Sequence, residues 1–134
     1  VSAVYFSANI PGLNTFLFRR QHNELVKNHM EGPTSFPALL HPWTKTGLVR
    51  VVKDEIRFWN SSKIFLCHCQ HEKDVFNWLG PEMHYLIIEQ AEQFTPFMIA
   101  MLRGRNRIPA ALDIPEQFKK FFPRCLYTFN PGGP

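Results

Sequence analysis

Cysteine, long apolar runs and acidic side chains are all scarce in this sequence. Only three cysteines occur, Cys67, Cys69 and Cys125, and an odd, scattered set of this kind argues against a disulfide framework. No apolar run approaches the roughly 20 residues that span a bilayer. The first six residues also have neither a basic flank nor a small-residue cleavage site. We therefore expect a reducing, intracellular setting without secretion or membrane insertion.

What the sequence does contain is the composition of an ordinary folded domain. Hydrophobic residues make up 45%, charged residues 19%, and 13 residues are Phe, which excludes a disordered chain. Fifteen basic against 11 acidic residues give a net charge of +4, which permits an anionic partner without identifying one. The chain starts without Met and ends in Pro-Gly-Gly-Pro. We expect residues 1–134 to be a single partial domain, truncated at both ends.

Apolar strands alternate with short helical segments along the chain. Buried strands are predicted at residues 16–18, 64–67, 85–88 and 126–129, with helices at residues 1–9, 23–30, 72–79, 95–107 and 115–122. Residues 48–52 and 56–59 alternate around a polar turn, which predicts a β-hairpin. This order favours an α/β fold, with a mainly parallel sheet, helices on both faces and the hairpin as an insert.

The most apolar strand, residues 85–88, ends abruptly in Glu89 and Gln90. This arrangement has the form of a Walker B element, in which the first acid holds the water shell of Mg²⁺ and the next residue polarises the attacking water. A buried strand that simply emerges into solvent would have the same pattern. The surrounding sequence has to decide between the two.

That wider context resembles the large subunit of phage terminases, the DNA-packaging ATPases. The matching segments run in order along the chain: Pro11-Gly12 with residues 16–20 and Leu25, residues 63–66, residues 80–95 with Glu-Gln-Ala and Phe-Thr, the basic stretch 103–107, and the final Tyr-Thr-Phe-Asn-Pro-Gly-Gly-Pro. The last of these resembles the family's coupling motif. The resemblance implies an incomplete ATPase core related to P-loop NTPases.

The resemblance also implies roles for individual residues. Glu89 would hold Mg²⁺ through water, and Gln90 would stand at the catalytic position. Nucleotide-binding or coupling roles would belong to Arg19, Arg20 and Asn130, and DNA or phosphate contacts to Arg103, Arg105 and Arg107, which otherwise are a solvated helix end. The implied cofactors are ATP and Mg²⁺. The implied partners are double-stranded DNA, a portal ring, the small terminase subunit and further copies of the chain, in the host cell cytoplasm.

Two departures from the family pattern limit this interpretation. No Gly-x-x-x-x-Gly-Lys-Ser/Thr loop occurs, so we expect it upstream of Val1. The family usually has Asp-Glu where this chain has Glu89-Gln90, and an amide cannot accept a proton at neutral pH. Hydrolysis should be slow or absent. The alternatives are a non-hydrolysing nucleic-acid-binding or assembly module with the ATPase fold, and an unrelated α/β domain in which Arg19, Glu89 and Asn130 lie apart.

A further candidate is the sequence Cys67-His68-Cys69 followed by His71. These are metal-ligand side chains, but zinc sites draw pairs from two segments, and here Cys67, Cys69 and His71 would share one strand face with His68 on the other. The same alternation opposes a Cys67–His68 nucleophile and base. Buried structural cysteines are the favoured interpretation.

Overall fold

A six-stranded sheet organises the chain. The computed structural model describes residues 2–20, 40–109 and 112–129. The strands are β1 (Asn14–Arg19), β2 (Val49–Val52), β3 (Glu55–Phe58), β4 (Lys63–His68), β5 (Tyr85–Ile88) and β6 (Arg124–Tyr127). Their spatial order is β2-β3-β4-β1-β5-β6.

The pairing of the strands divides the sheet into two parts. The neighbours β4, β1, β5 and β6 are all parallel, whereas β2 pairs antiparallel with β3 and β3 antiparallel with β4. The hairpin turns through Lys53 and Asp54, and Asp54 takes a left-handed conformation with φ 58°. The α/β architecture, with four parallel strands and a hairpin insert, is therefore confirmed.

Alternation along the strands produces two separate cores, one on each face of the sheet. On the first face, α1 (Ser2–Asn9) packs against side chains that include Leu17, Ile64, Leu66, Tyr85 and Ile87. On the second face, the 3₁₀ helix Glu72–Trp78 and a later helix cover side chains that include Phe16, Phe18, Cys67, Leu86 and Ile88. Both faces of β1 and β5 are thus buried, which accounts for their continuous apolar sequence.

The remaining helices are short. They are α2 (His41–Lys45), α3 (Pro96–Arg103) and the 3₁₀ segments Ala91–Gln93 and Glu116–Phe121. None of the helices in the described ranges combines the length and apolar character needed to cross a membrane. The predicted helix at residues 23–30 lies outside the described residues.

Helix α3 begins as the sequence predicts but ends earlier. Thr95 caps it by accepting a hydrogen bond from the Met98 N–H to Oγ1 at 3.2 Å, and Pro96 occupies its first turn. The prediction that it reaches Arg107 is wrong, since it stops at Arg103. Beyond that point the carbonyl of Arg105 accepts a hydrogen bond from the Met83 N–H at 2.7 Å. This contact next to β5 takes the place of a further helical turn.

Candidate functional site

Charged side chains meet at the carboxyl edge of the parallel strands. Arg19 ends β1, and Glu89 follows β5, the neighbouring parallel strand. Arg19 Nε donates to Glu89 Oε2 at 2.8 Å, with 11% and 17% of the two side chains exposed. Asn130 lies outside the described residues. The alternative of an unrelated domain, in which Arg19, Glu89 and Asn130 lie apart, therefore stays a prediction.

The backbone fixes both members of this pair. The N–H of Glu89 donates to the Phe18 carbonyl at 2.9 Å, so the ladder between β1 and β5 continues one residue past the strand. The position of the Glu89 backbone beside Arg19 is therefore fixed by the sheet. A charge-assisted bond of this kind is stronger than a neutral hydrogen bond and limits the rotation of the carboxylate. Any cation that binds Glu89 has to compete with the Arg19 guanidinium for the same carboxylate.

Gln90 has an unusual backbone conformation. Its φ of 52° and ψ of 55° are left-handed, a region that costs a non-glycine residue roughly 1–2 kcal/mol. Contacts to the end of β6 hold it there: Thr128 Oγ1 accepts from the Gln90 N–H at 3.3 Å, and the Thr128 carbonyl accepts from the Ala91 N–H at 2.8 Å. The Gln90 Oε1 atom is buried and accepts no hydrogen bond from the described residues. Strain and an unsatisfied acceptor thus coincide beside Glu89.

Arg20 ties together three segments at the same edge. Its Nη1 donates to the Gln93 carbonyl, and its Nη2 donates to the Gln70 carbonyl at 2.5 Å. The guanidinium therefore joins the end of β1 to the segment after β5 and the loop after β4. Arg20 is a positioning residue in this arrangement, because these donors are directed at the backbone.

The edge has limited capacity for a metal ion. The described residues contain no group of three or more His, Cys, Asp or Glu side chains arranged to hold one. Mg²⁺ commonly keeps several waters and binds through one or two carboxylates together with substrate phosphates. Glu89 is the carboxylate at this edge that could hold Mg²⁺ in a water-mediated site of that type.

The other arginines predicted to contact phosphate or DNA lie elsewhere. Arg105 donates from Nε to the Pro81 carbonyl and from Nη2 to the Gly80 carbonyl, both at 3.2 Å, at the amino edge of the sheet. Arg103 is the exposed last residue of α3, and Arg107 is exposed in the loop that follows. The structure does not bring these side chains to Glu89.

Cys67 and Cys69 are both fully buried in the core of the second face, as the sequence predicts. Burial raises the pKa of the Cys67 thiol well above its usual value and that of Cys69 to about 12. Both are therefore neutral thiols, whereas metal binding and nucleophilic attack need thiolates. His68 is exposed, and His71 lies beyond β4 at the start of the segment Glu72–Trp78.

Sequence reasoning missed two residues that organise the edges. Thr128 lies within the coupling-motif resemblance, but only its contacts to Gln90 and Ala91 show what it does. At the opposite edge, His84 Nδ1 accepts a hydrogen bond from the Asn14 N–H at 2.9 Å, and the side chain is buried. A polar residue directly before an apolar strand was the available signal for His84.

No protein-family model matches the sequence, and no curated protein matches it. The function of the chain is therefore inferred from the site and from the resemblance of its motifs.

Proposed function

We propose that this chain is part of the ATPase core of a viral genome-packaging motor, a terminase large subunit related to P-loop NTPases. The observation that carries the proposal is the Arg19–Glu89 pair at the carboxyl edge of β1 and β5. Ligands of open α/β sheets bind at this edge. In this role the chain would act in the host cytoplasm with double-stranded DNA, a portal ring, the small subunit and further copies of itself.

Each residue at the edge has a distinct part in the proposal. Glu89 would hold Mg²⁺ through water, and Arg19 orients that carboxylate. Bound Mg²⁺ would neutralise charge on the ATP phosphates. Gln90 can orient a water molecule through its amide but cannot remove a proton from it. Arg20 keeps the segment that carries Gln90 in position through the Gln93 carbonyl.

The connections between strands support an upstream phosphate-binding loop. From β4 to β5 the chain crosses the second face through the segment Glu72–Trp78. The connection from β5 to β6 begins on that face with α3, and its later segment Glu116–Phe121 packs on the first face. Parallel crossovers are right-handed in about 98% of cases. Because the β4-to-β5 crossover on the second face moves along the sheet toward β6, a right-handed crossover on the first face must move away from β6. Helix α1 lies on the first face and leads into β1. A parallel strand feeding α1 would therefore lie on the β6 side of β1.

The positions next to β1 on that side already hold β5 and β6. Among the described residues β6 is the last strand of the sheet, and all four of its residues are only partly buried. A strand preceding α1 would accordingly pair with the free edge of β6. The loop between that strand and α1 would then lie at the carboxyl edge, next to Thr128 and Gln90, where the proposal requires phosphates.

A second candidate function is a non-hydrolysing assembly or nucleic-acid-binding module that retains this fold. The observations in its favour are Gln90 in place of a general base and the engagement of Glu89 by Arg19. The two functions make different predictions for nucleotide binding. Tight, Mg²⁺-dependent ATP binding favours the motor, and its absence favours the module.

The test uses a protein extended upstream of Val1 to include the expected loop. Titration with ATP in the presence and absence of Mg²⁺ measures binding, and steady-state assays measure turnover. Gln90→Glu should raise turnover by roughly 10²–10⁴-fold, the contribution of a general base. Gln93→Glu is the matched control, because it adds the same charge to an exposed neighbour in the same turn. Equal effects of the two variants, or none, would contradict the proposed site.

A further inference from the structure

Three cations lie side by side on the hairpin end of the sheet. Arg50 on β2 is the direct partner of Arg57 on β3, and Arg57 is the direct partner of Lys63 on β4. Their strand neighbours Val49, Ile56 and Ile64 point into the core of the first face. By alternation, the three cations therefore share the second face. We call this set the cation row.

The cation row is unfavourable for folding on its own. Like charges directly opposite each other on neighbouring strands destabilise a sheet. Glu55 contacts Arg57 and offsets one charge, whereas Arg50 and Lys63 have no ion pair within the described ranges. Arg50 and Arg57 are exposed, and Lys63 is half-buried. The row therefore contributes little to folding, and an anionic partner would offset its repulsion.

The sheet surface around the row is uncovered in the described part of the chain. Every fully buried hairpin residue, namely Val49, Ile56 and Phe58, belongs to the first core, and the hairpin contributes no residue to the second. The row is also separate from the candidate nucleotide site. Lys63 lies level with Asn14, five residues from Arg19 on β1, which is roughly 16 Å at the usual rise of a strand.

We propose that the cation row binds the phosphate backbone of duplex DNA. The three positions span roughly 10 Å, two interstrand spacings, and each is fixed on a rigid strand. An array of this kind meets successive phosphates without reading bases, and a bound polyanion would offset the repulsion within the row. The choice of duplex DNA rests on the proposed function, which names it as the partner, whereas the charge arrangement stands independently of ATP.

The experiment measures binding of a fluorescent DNA duplex by anisotropy at a series of salt concentrations. The variant Arg50→Gln/Lys63→Gln removes two charges from the row. Its matched control, Lys119→Gln/Lys120→Gln, removes two exposed charges from the segment Glu116–Phe121, whose buried residue Phe118 packs in the first core. The slope of log K against log salt is negative, and each lost phosphate contact should make it shallower by about 0.9. The slope of the row variant should therefore be shallower than that of the parent by about 1.8, and the slope of the control should be close to that of the parent.

A second readout separates binding from a structural role. Neutralising the row relieves like-charge repulsion, so the midpoint of thermal unfolding should stay the same or rise in the row variant. The proposal is overturned by a parent protein that does not bind duplex DNA, by binding of single strands alone, or by equal slope changes in both variants. ATP titration of the extended protein reports on the proposed function separately. If the extended protein does not bind ATP but the row variant still changes the salt slope, the ATPase proposal is contradicted and DNA binding by the cation row is supported.

Discussion

The two edges of the parallel strands satisfy their polar groups differently. At the amino edge, Asn106 Nδ2 donates to the Met83 carbonyl at 2.8 Å and to the Arg124 carbonyl at 3.0 Å, while His84 accepts from Asn14. The carboxyl edge instead holds a charged pair and Gln90, which is left-handed and whose buried Oε1 accepts no hydrogen bond from the part of the chain that the structure describes. Strained residues of this kind concentrate at functional sites and persist where the surrounding structure is well determined. The hydrogen bonds of the amino edge fix the strands that lead to the carboxyl edge.

Asn106→Ala should therefore have the largest effect on stability. The change leaves carbonyl groups of the amino edge without their donor, and each partly buried, unsatisfied group costs up to a few kcal/mol. We expect the free energy of unfolding to fall by about 2 kcal/mol in urea denaturation. Asn77→Ala, at an exposed asparagine of the segment Glu72–Trp78, is the control and should cost little. Similar losses in both variants would mean that the amino edge has no special structural role.

Removing the charge of Arg19 should cost less, about 1–2 kcal/mol, because 17% of the Glu89 side chain is exposed and water can solvate its carboxylate. The double change Arg19→Met/Glu89→Gln should be closer to the parent than Arg19→Ala, since it also removes the charge that Arg19 offsets. Urea denaturation of Arg19→Met, of Glu89→Gln and of the double variant completes the cycle. A double variant whose loss equals the sum of the two single losses would show no coupling between Arg19 and Glu89, and it would contradict a stabilising ion pair.

The Gln90→Gly variant should be more stable than the parent. Glycine avoids the left-handed penalty of roughly 1–2 kcal/mol but loses roughly 0.5–1 kcal/mol more entropy on folding. The net gain should be about 0.5 kcal/mol, a small rise in the thermal midpoint. Gln93→Gly, in the 3₁₀ segment Ala91–Gln93, has no such strain to relieve and should be destabilised. If both variants lose stability equally, the conformation of Gln90 stores no strain.

Much of the fold follows from the sequence because its signals are local. The runs at residues 16–18 and 85–88 have apolar side chains at consecutive positions, which fits strands buried on both faces, and β1 and β5 are such strands. The end of α3 could not be predicted in this way. Arg103, Arg105 and Arg107 continue an acceptable helical pattern, but the Arg105 backbone and side chain bond Met83, Pro81 and Gly80 instead. Such tertiary contacts cannot be recognised from the residues next to Arg105 in the sequence.

For the candidate site, the sequence predicts which strand ends contribute residues but not the contacts between those residues. Parallel strands bring their carboxyl ends to one edge, so Arg19 and Glu89 were expected to lie near each other. Their bond depends on the register in which Phe18 lies opposite Ile88, and that register is a property of the whole sheet. The left-handed turn at Gln90 depends likewise on Thr128, 38 residues away. The proposed coupling role of Asn130 stays a prediction.

His84 provides the finest test of the difference between the edges, because it titrates within the hydrogen-bonded amino edge. Burial lowers its pKa below the ordinary 6.5, an effect that Glu82 partly opposes. Its Nδ1 accepts from Asn14, and protonation there would remove the acceptor. The unfolded chain then binds the proton more readily than the folded chain, so stability should fall as the pH drops below about 6.5. This loss should be absent near pH 7.5, where both states are neutral.

Urea midpoints measured at pH 7.5 and pH 5.5 check this expectation. His84→Asn keeps an acceptor for the Asn14 N–H without a titrating ring, so the decline in stability on acidification should be smaller than in the parent. The matched control is His41→Asn, which removes an exposed histidine. If the two variants flatten the decline equally, a general charge effect explains it. If the parent becomes more stable at pH 5.5, the folded amino edge accommodates the imidazolium, and it is not the rigid support that the carboxyl edge requires.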